Sequence, residues 1–289
     1  MDLLISPSLI ESYFANIFKS PKTEFDRDVS ALLNNPLNRF VISKDYIDLL
    51  QKNTSKSDIA SIILPFLGEM INNQTLRIQG EGLTKEEDII NSIDNGYQLI
   101  EQNMKKSAYL IVSSKDRKTN NSINFTNLSK PNKNWIFFKL CCHHPTPLTV
   151  RYYEFNNDKE IEEAVKAVLI LQGENSIINI VDRQTNFGHS LFNSFRQKNL
   201  VHYYTSDRSI NENVDDFKLT FKRLKVFTDK PKNVHERRIF SKDILVEIDD
   251  DFQNVSVSRT TWKFELIYCP IVVSKLTAKL SKFKRLIIK

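Results

Sequence analysis

In the run Asn233-Val234-His235-Glu236-Arg237-Arg238-Ile239-Phe240, a histidine stands two residues before an arginine. On an extended backbone that spacing puts both side chains on one face. Such a pair suits phosphodiester chemistry: an imidazole can attack or relay a proton while a fixed guanidinium holds phosphate oxygens. A second polar group, Asp182-Arg183, closes the apolar run over residues 177–181, with His189 a few residues on. Ligands of open α/β sheets collect at the carboxyl ends of strands. The pattern therefore predicts Asp182 beside His235, orienting the imidazole. A plainer reading stays open, with a strand-end histidine hydrogen-bonded to a carboxylate and the arginine held in an ion pair.

Other candidate chemistry is thin. Cys141-Cys142-His143-His144 has the residue types of a zinc site, but adjacent positions on a strand point to opposite faces, and no matching pair lies elsewhere. The N-terminal third offers one acid, Asp116, near a strand end, too few for a divalent cation. No metal and no cofactor are expected. With six glycines and neither G-x-G-x-x-G nor G-x-x-x-x-G-K-[ST], the chain has no Gly-rich phosphate loop.

Charge is informative once located. The chain of 289 residues carries a net +6, and residues 266–289 hold Lys275, Lys279, Lys282, Lys284, Arg285 and Lys289 with no acid. Those six cations equal the whole excess, so the rest of the chain is balanced. Leu276, Leu280, Phe283 and Ile287 recur among them at helical spacing. An amphipathic terminal helix is predicted over residues 274–289, with one face on the domain and a basic face outward. Such a face could contact a phosphate backbone or, less favourably with one aromatic, an anionic membrane. Met1-Asp2-Leu3-Leu4-Ile5 has no basic leader region, and no apolar run approaches a membrane span. The expectation is a cytoplasmic protein.

The elements that would position these groups read as α/β in two layered domains. Strands are expected over residues 3–6, 39–43, 108–112, 135–140, 177–181, 200–204, 218–227, 234–240 and 244–248. Helices are expected over residues 44–50, 57–71, 85–104, 159–171 and 190–198. The polar stretch 116–134 reads as a linker or long loop between a first domain, 1–115, and a second, 135–289.

Two anchors, Ile180-Val181-Asp182-Arg183 and Val234-His235-Glu236-Arg237, resemble the non-canonical phospholipase D-like domains. These include the C-terminal domain of a eukaryotic MIT-domain protein, together with bacterial relatives. The resemblance spans roughly residues 150–270 and implies a phospholipase D-like α/β domain in the C-terminal half. It further implies a phosphodiester site with His235 as nucleophile, Arg237 on the phosphate and Asp182 orienting the histidine. In an enzyme this would be a metal-independent nuclease, in a prokaryotic defence setting. Arg183 and the terminal cations would add backbone contacts to nucleic acid. The chain departs from the catalytic His-x-Lys pattern: Arg237 stands for the lysine and Asp243 comes one residue late. There is no second copy either, His189 being followed by Ser190-Leu191 and His202 by Tyr203-Tyr204. A homodimer would be needed to bring two histidines together. Two further functions fit: an acidic-lipid-binding module, as the eukaryotic relative is, or a scaffold subunit of a larger complex. The strand–helix order of the N-terminal third is loosely similar to PIN-like nuclease domains, though residues 5–8 lack that family's first aspartate.

Overall fold

A computed structural model of the protein describes residues 2–5, 7–18, 20–42, 60–78, 108–112, 122–124, 133–142, 146–170, 177–183, 200–206 and 223–286. The chain divides into two compact units. One comprises Met1–Ser129 and Phe137–His143, the other Lys130–Ile136 and His144–Lys289. The expected helices over 44–50, 85–104 and 190–198, as well as Asp116, His143, His144 and His189, lie outside the described residues.

In the first unit the elements run β1 (Asp2–Ile5), α1 (Pro7–Asn16), α2 (Glu24–Asn34), β2 (Arg39–Ile42), α3 (Ala60–Asn72), β3 (Leu76–Ile78), β4 (Ala108–Val112) and β5 (Ser122–Asn124). The five strands form a wholly parallel sheet in the order β3-β2-β1-β4-β5. Parallel neighbours need crossover connections, and the helices between them cover the sheet. Helix α2 starts where Thr23 and Asp26 form a reciprocal capping box: Thr23 Oγ1 accepts from Asp26 N at 3.1 Å and Asp26 Oδ2 accepts from Thr23 N at 2.9 Å. Val29, Leu32 and Leu33 recur at helical spacing and are buried. The stretch expected as a linker contributes β5.

The segment over 135–140, expected as a strand, is helical. It lies within α4 (Lys133–Cys142), whose residues from Phe137 onward belong to the first unit. Ile136, Phe138, Leu140, Cys141 and Cys142 are all buried. A helix apolar all round shows no 3.6-residue period, and a short apolar run is ambiguous between helix and strand. Tertiary contacts settle it. Lys139 Nζ donates to Glu24 at 2.6 Å and to Asp28 at 2.5 Å. At the helix end the Cys141 carbonyl accepts from Asn35 Nδ2 at 2.8 Å and Asn38 Nδ2 at 2.9 Å. The cysteines are therefore core residues. Burial pushes the Cys141 thiol up to about 12, and among the described residues no group of three metal-capable side chains occurs.

The second unit continues with β6 (Leu148–Arg151), α5 (Asp158–Ile170), β7 (Ile178–Val181), β8 (Val201–Ser206), β9 (Leu224–Asp229), β10 (Arg237–Ser241), β11 (Ile244–Ile248), β12 (Lys263–Tyr268), α6 (Pro270–Leu280) and β13 (Lys284–Leu286). Eight strands make one mixed sheet in the order β13-β9-β8-β7-β10-β11-β12-β6. Strands β7, β8 and β9 are parallel, and the remaining pairings are antiparallel. Together the units make the chain an α/β protein. Tyr152 and Phe155 pack on Phe264 from one side of the second sheet. Val273, Leu276 and Leu280 of α6 pack from the other side on Val181, Tyr204, Val234, Phe240 and Leu245.

The terminal helix is shorter than the sequence predicts. It ends at Leu280, and Lys284 and Arg285 stand on β13, paired with Thr228 and Phe227 of β9. Phe283 causes the change of course: its ring meets Tyr204 edge-on at 5.5 Å, pulling the chain down onto the sheet.

Candidate functional site

The two anchors meet at one end of the sheet. Val181, the last residue of β7, pairs with Arg238, the second of β10. Asp182 and Arg237 therefore sit at the same strand end. Asp182 is buried and accepts a hydrogen bond from Tyr203 Oη at 3.2 Å, while its backbone N–H donates to the Tyr204 carbonyl at 3.0 Å. Burial, then the Asp182 carboxylate, holds the Tyr203 phenol well above its ordinary value. Arg183, just beyond, is exposed.

His235 does not share a strand with Arg237. Strand β10 begins at Arg237, and His235 lies in the irregular segment just before it, exposed to solvent. The local chain explains this. A 3₁₀ turn at Pro231–Asn233 is tied by Asp229, which accepts from Lys230 N and Asn233 Nδ2, each at 2.8 Å. Val234 is then drawn into the core under α6. His235 emerges from that anchor at the surface before extended pairing starts. Its carbonyl, rather than its imidazole, takes the long 3.4 Å contact from Arg237 Nη1. The guanidinium of Arg237 forms an ion pair with Asp251.

Around these residues lies a pocket of about 280 Å³ whose lining is charge-balanced toward acid. Glu236, Glu247, Asp249 and Glu265 face Arg237, Arg238 and Lys263. The cations are already used. Arg238 pairs with Glu247 at 2.6 Å and Glu236 at 3.7 Å, and Lys263 pairs with Glu265 at 2.7 Å. The cross-strand register, Arg238 opposite Glu247 and Glu247 opposite Glu265, lays these charges in one row. An incoming phosphate would have to compete with carboxylates for every one of those donors.

The basic C-terminal segment is different. Lys275, Lys279, Lys282, Lys284 and Arg285 are all exposed, and no ion pair among the described residues involves any of them. Asp229 feels Lys284, but its carboxyl is held low chiefly by Asn233 and the Lys230 N–H. One histidine passed over in the sequence lies here. His202 is the register partner of Lys225 across β8 and β9, and its ring meets Phe227 at 5.2 Å. Burial first, then the charges of Lys225 and Arg285, pull its pKa below the ordinary histidine value. Because it heads no His-x-Lys motif, only the strand register reveals its cationic surroundings.

No family model matches the chain, and no curated protein matches it. Among solved structures it is similar to TrmBL2, an archaeal chromatin protein described as showing a novel mode of DNA binding. The identity is 9%, 96% of this chain and 100% of that one are covered, and the TM-score is 0.33. A likeness at that level carries no conclusion about this chain. No helix among the described residues is long and apolar enough to cross a membrane.

Proposed function

We propose that the protein binds nucleic acid by its phosphate backbone, through the surface formed by the outer side of α6 and by β13. The observation that supports this is the contrast between two charged regions of one unit. In the pocket beside His235 each cation is matched by a carboxylate, whereas Lys275, Lys279, Lys282, Lys284 and Arg285 are exposed and enter no ion pair among the described residues. Unpaired cations on a fixed framework release counterions when they neutralise phosphates, and affinity then falls with salt in proportion to their number. Converting Lys275, Lys279 and Lys282 together to glutamine leaves the buried side of α6 untouched. The slope of log affinity against log salt should shrink by about 2 to 3. An unchanged slope in the folded variant would place the contact elsewhere.

A second reading is favoured by the register that brings Asp182 and Arg237 to one sheet end. In it the C-terminal unit is a phospholipase D-like domain whose His235 acts as nucleophile, Arg237 as phosphate clamp and Asp182 as orienting acid, with a homodimer supplying the second histidine. Arg237 would exchange Asp251 for a phosphate on substrate binding. His235→Ala decides: a metal-independent nuclease loses cleavage of labelled DNA and RNA while keeping binding. Retained cleavage removes this reading.

A further inference from the structure

We infer that the nucleic acid held by the α6–β13 surface is a duplex, gripped by its sugar–phosphate backbone with no base stacked and none read. This rests on the backbone-binding reading above and narrows it to one class of ligand.

The aromatic rings carry the inference. Proteins that hold single strands place exposed rings between their cations, because stacking on each base supplies much of the affinity. Among the described residues, the rings that pack beside these cations are turned into the sheet. Phe283 is edge-on to Tyr204 at 5.5 Å, Tyr204 is stacked on Phe227 at 4.9 Å, and Phe227 meets His202 at 5.2 Å. Between Lys275 and Lys282 the exposed side chains other than Lys279 are small, Thr277, Ala278 and Ser281, and the exposed Ile271 and Val272 one turn before Lys275 carry no ring. Such residues let a rigid polyanion come close and offer no platform to a base.

The cations argue the same way. Four of the five are lysines, which act as point charges and read only guanine among the bases, and none of the five is an asparagine or glutamine that would read adenine. The backbone positions of four of them are also fixed by the fold. Lys275 and Lys279 are one turn apart on a helix pinned by Val273, Leu276 and Leu280, about 6 Å along its axis. On β13, held by the β9 pairing, Arg285 shares the face of Phe227 on which α6 packs, and Lys284, the adjacent position, points to the opposite face at the sheet edge. A preorganised array loses little freedom on meeting a stiff, regular phosphate lattice, and a flexible strand would have to be ordered against it. The duplex also has the higher charge density and the larger counterion release per contact.

The test uses the full chain and anisotropy titrations at several salt concentrations. The probes are two labelled duplexes of unrelated sequence, an oligo(dT) of the same length, and vesicles containing phosphatidylserine. The two duplexes should bind within about twofold of each other, and oligo(dT) several-fold more weakly at matched salt. The folded triple glutamine variant at 275, 279 and 282 should lose affinity for both duplexes alike. Oligo(dT) binding as tightly as the duplexes, or a more than tenfold difference between the duplexes, overturns the inference and leaves backbone binding standing. No binding to any oligonucleotide, tighter binding to the vesicles, or an unaffected triple variant overturns both.

Discussion

His202 is half-buried among cations, and its depressed pKa has two consequences with definite signs. The unfolded chain holds the proton more tightly than the folded one, so the contribution to stability is complete above the ordinary histidine pKa of about 6.5. It is lost as pH falls through that value toward the lower folded pKa. Denaturation midpoints measured from pH 8 downward should fall in this window, and His202→Gln should flatten the part of the fall that belongs to this residue. Burial is the larger cause of that shift, and a polyanion neutralising Lys225 and Arg285 relieves only the repulsion that adds to it, so binding should take up a fraction of a proton and tighten as pH drops. Titrations in two buffers of different ionisation heat would detect that proton. Arg237 makes the opposite case. Its charge is held by Asp251, so Arg237→Ala should leave duplex affinity within about twofold, while loss of a charge-assisted phosphate contact would cost roughly 1.5–3 kcal/mol.

At the scale of elements, α6 ties the basic surface to the core. Leu280 is buried against Val181, Tyr204 and Phe240, and Leu280→Ala should cost about 2–5 kcal/mol in denaturant unfolding. In the first unit Thr23→Ala removes the α2 capping box and should cost about 1 kcal/mol. How legible each element was follows from its packing. Strands β4 and β11 match their expected bounds, and β1, β2 and β7 and the helices α3 and α5 fall within one to three residues of theirs, because each is a short apolar run or has a clear helical stripe. Helix α4 was not legible, since burial on all sides erases its period. Strand β12 alternates cleanly, Lys263 and Glu265 outward and Phe264 and Leu266 inward, yet its charged outer row disguised it. Strand β13 was hidden because Phe283, at helical spacing from Leu280, turns inward to a ring that only the fold supplies. In the candidate site, Asp182 was legible as a strand-end residue and Arg237 as a strand residue, though the strand expected from 234 begins only at Arg237. The exit of His235 from the strand was not, because the burial of Val234 is a tertiary fact.

Across the whole molecule, the net charge of +6 is concentrated where the chain ends. Neutralising Lys275, Lys279, Lys282, Lys284 and Arg285 takes the total from +6 to +1, and retention on a cation exchanger should collapse accordingly. The same residues bear on how the protein behaves in a crowd of its own copies. Among the described residues strand β13 is the last strand of its sheet, and a sheet border with free backbone groups is a template for another chain. It is three residues long, and two of the three are cations, so two such borders repel before their amides can meet. Anything that cancels those charges withdraws the protection. Lys284→Val with Arg285→Val should turn a monodisperse solution into one that self-associates border to border, visible in light scattering. Saturation with a short polyanion should push the unaltered protein the same way.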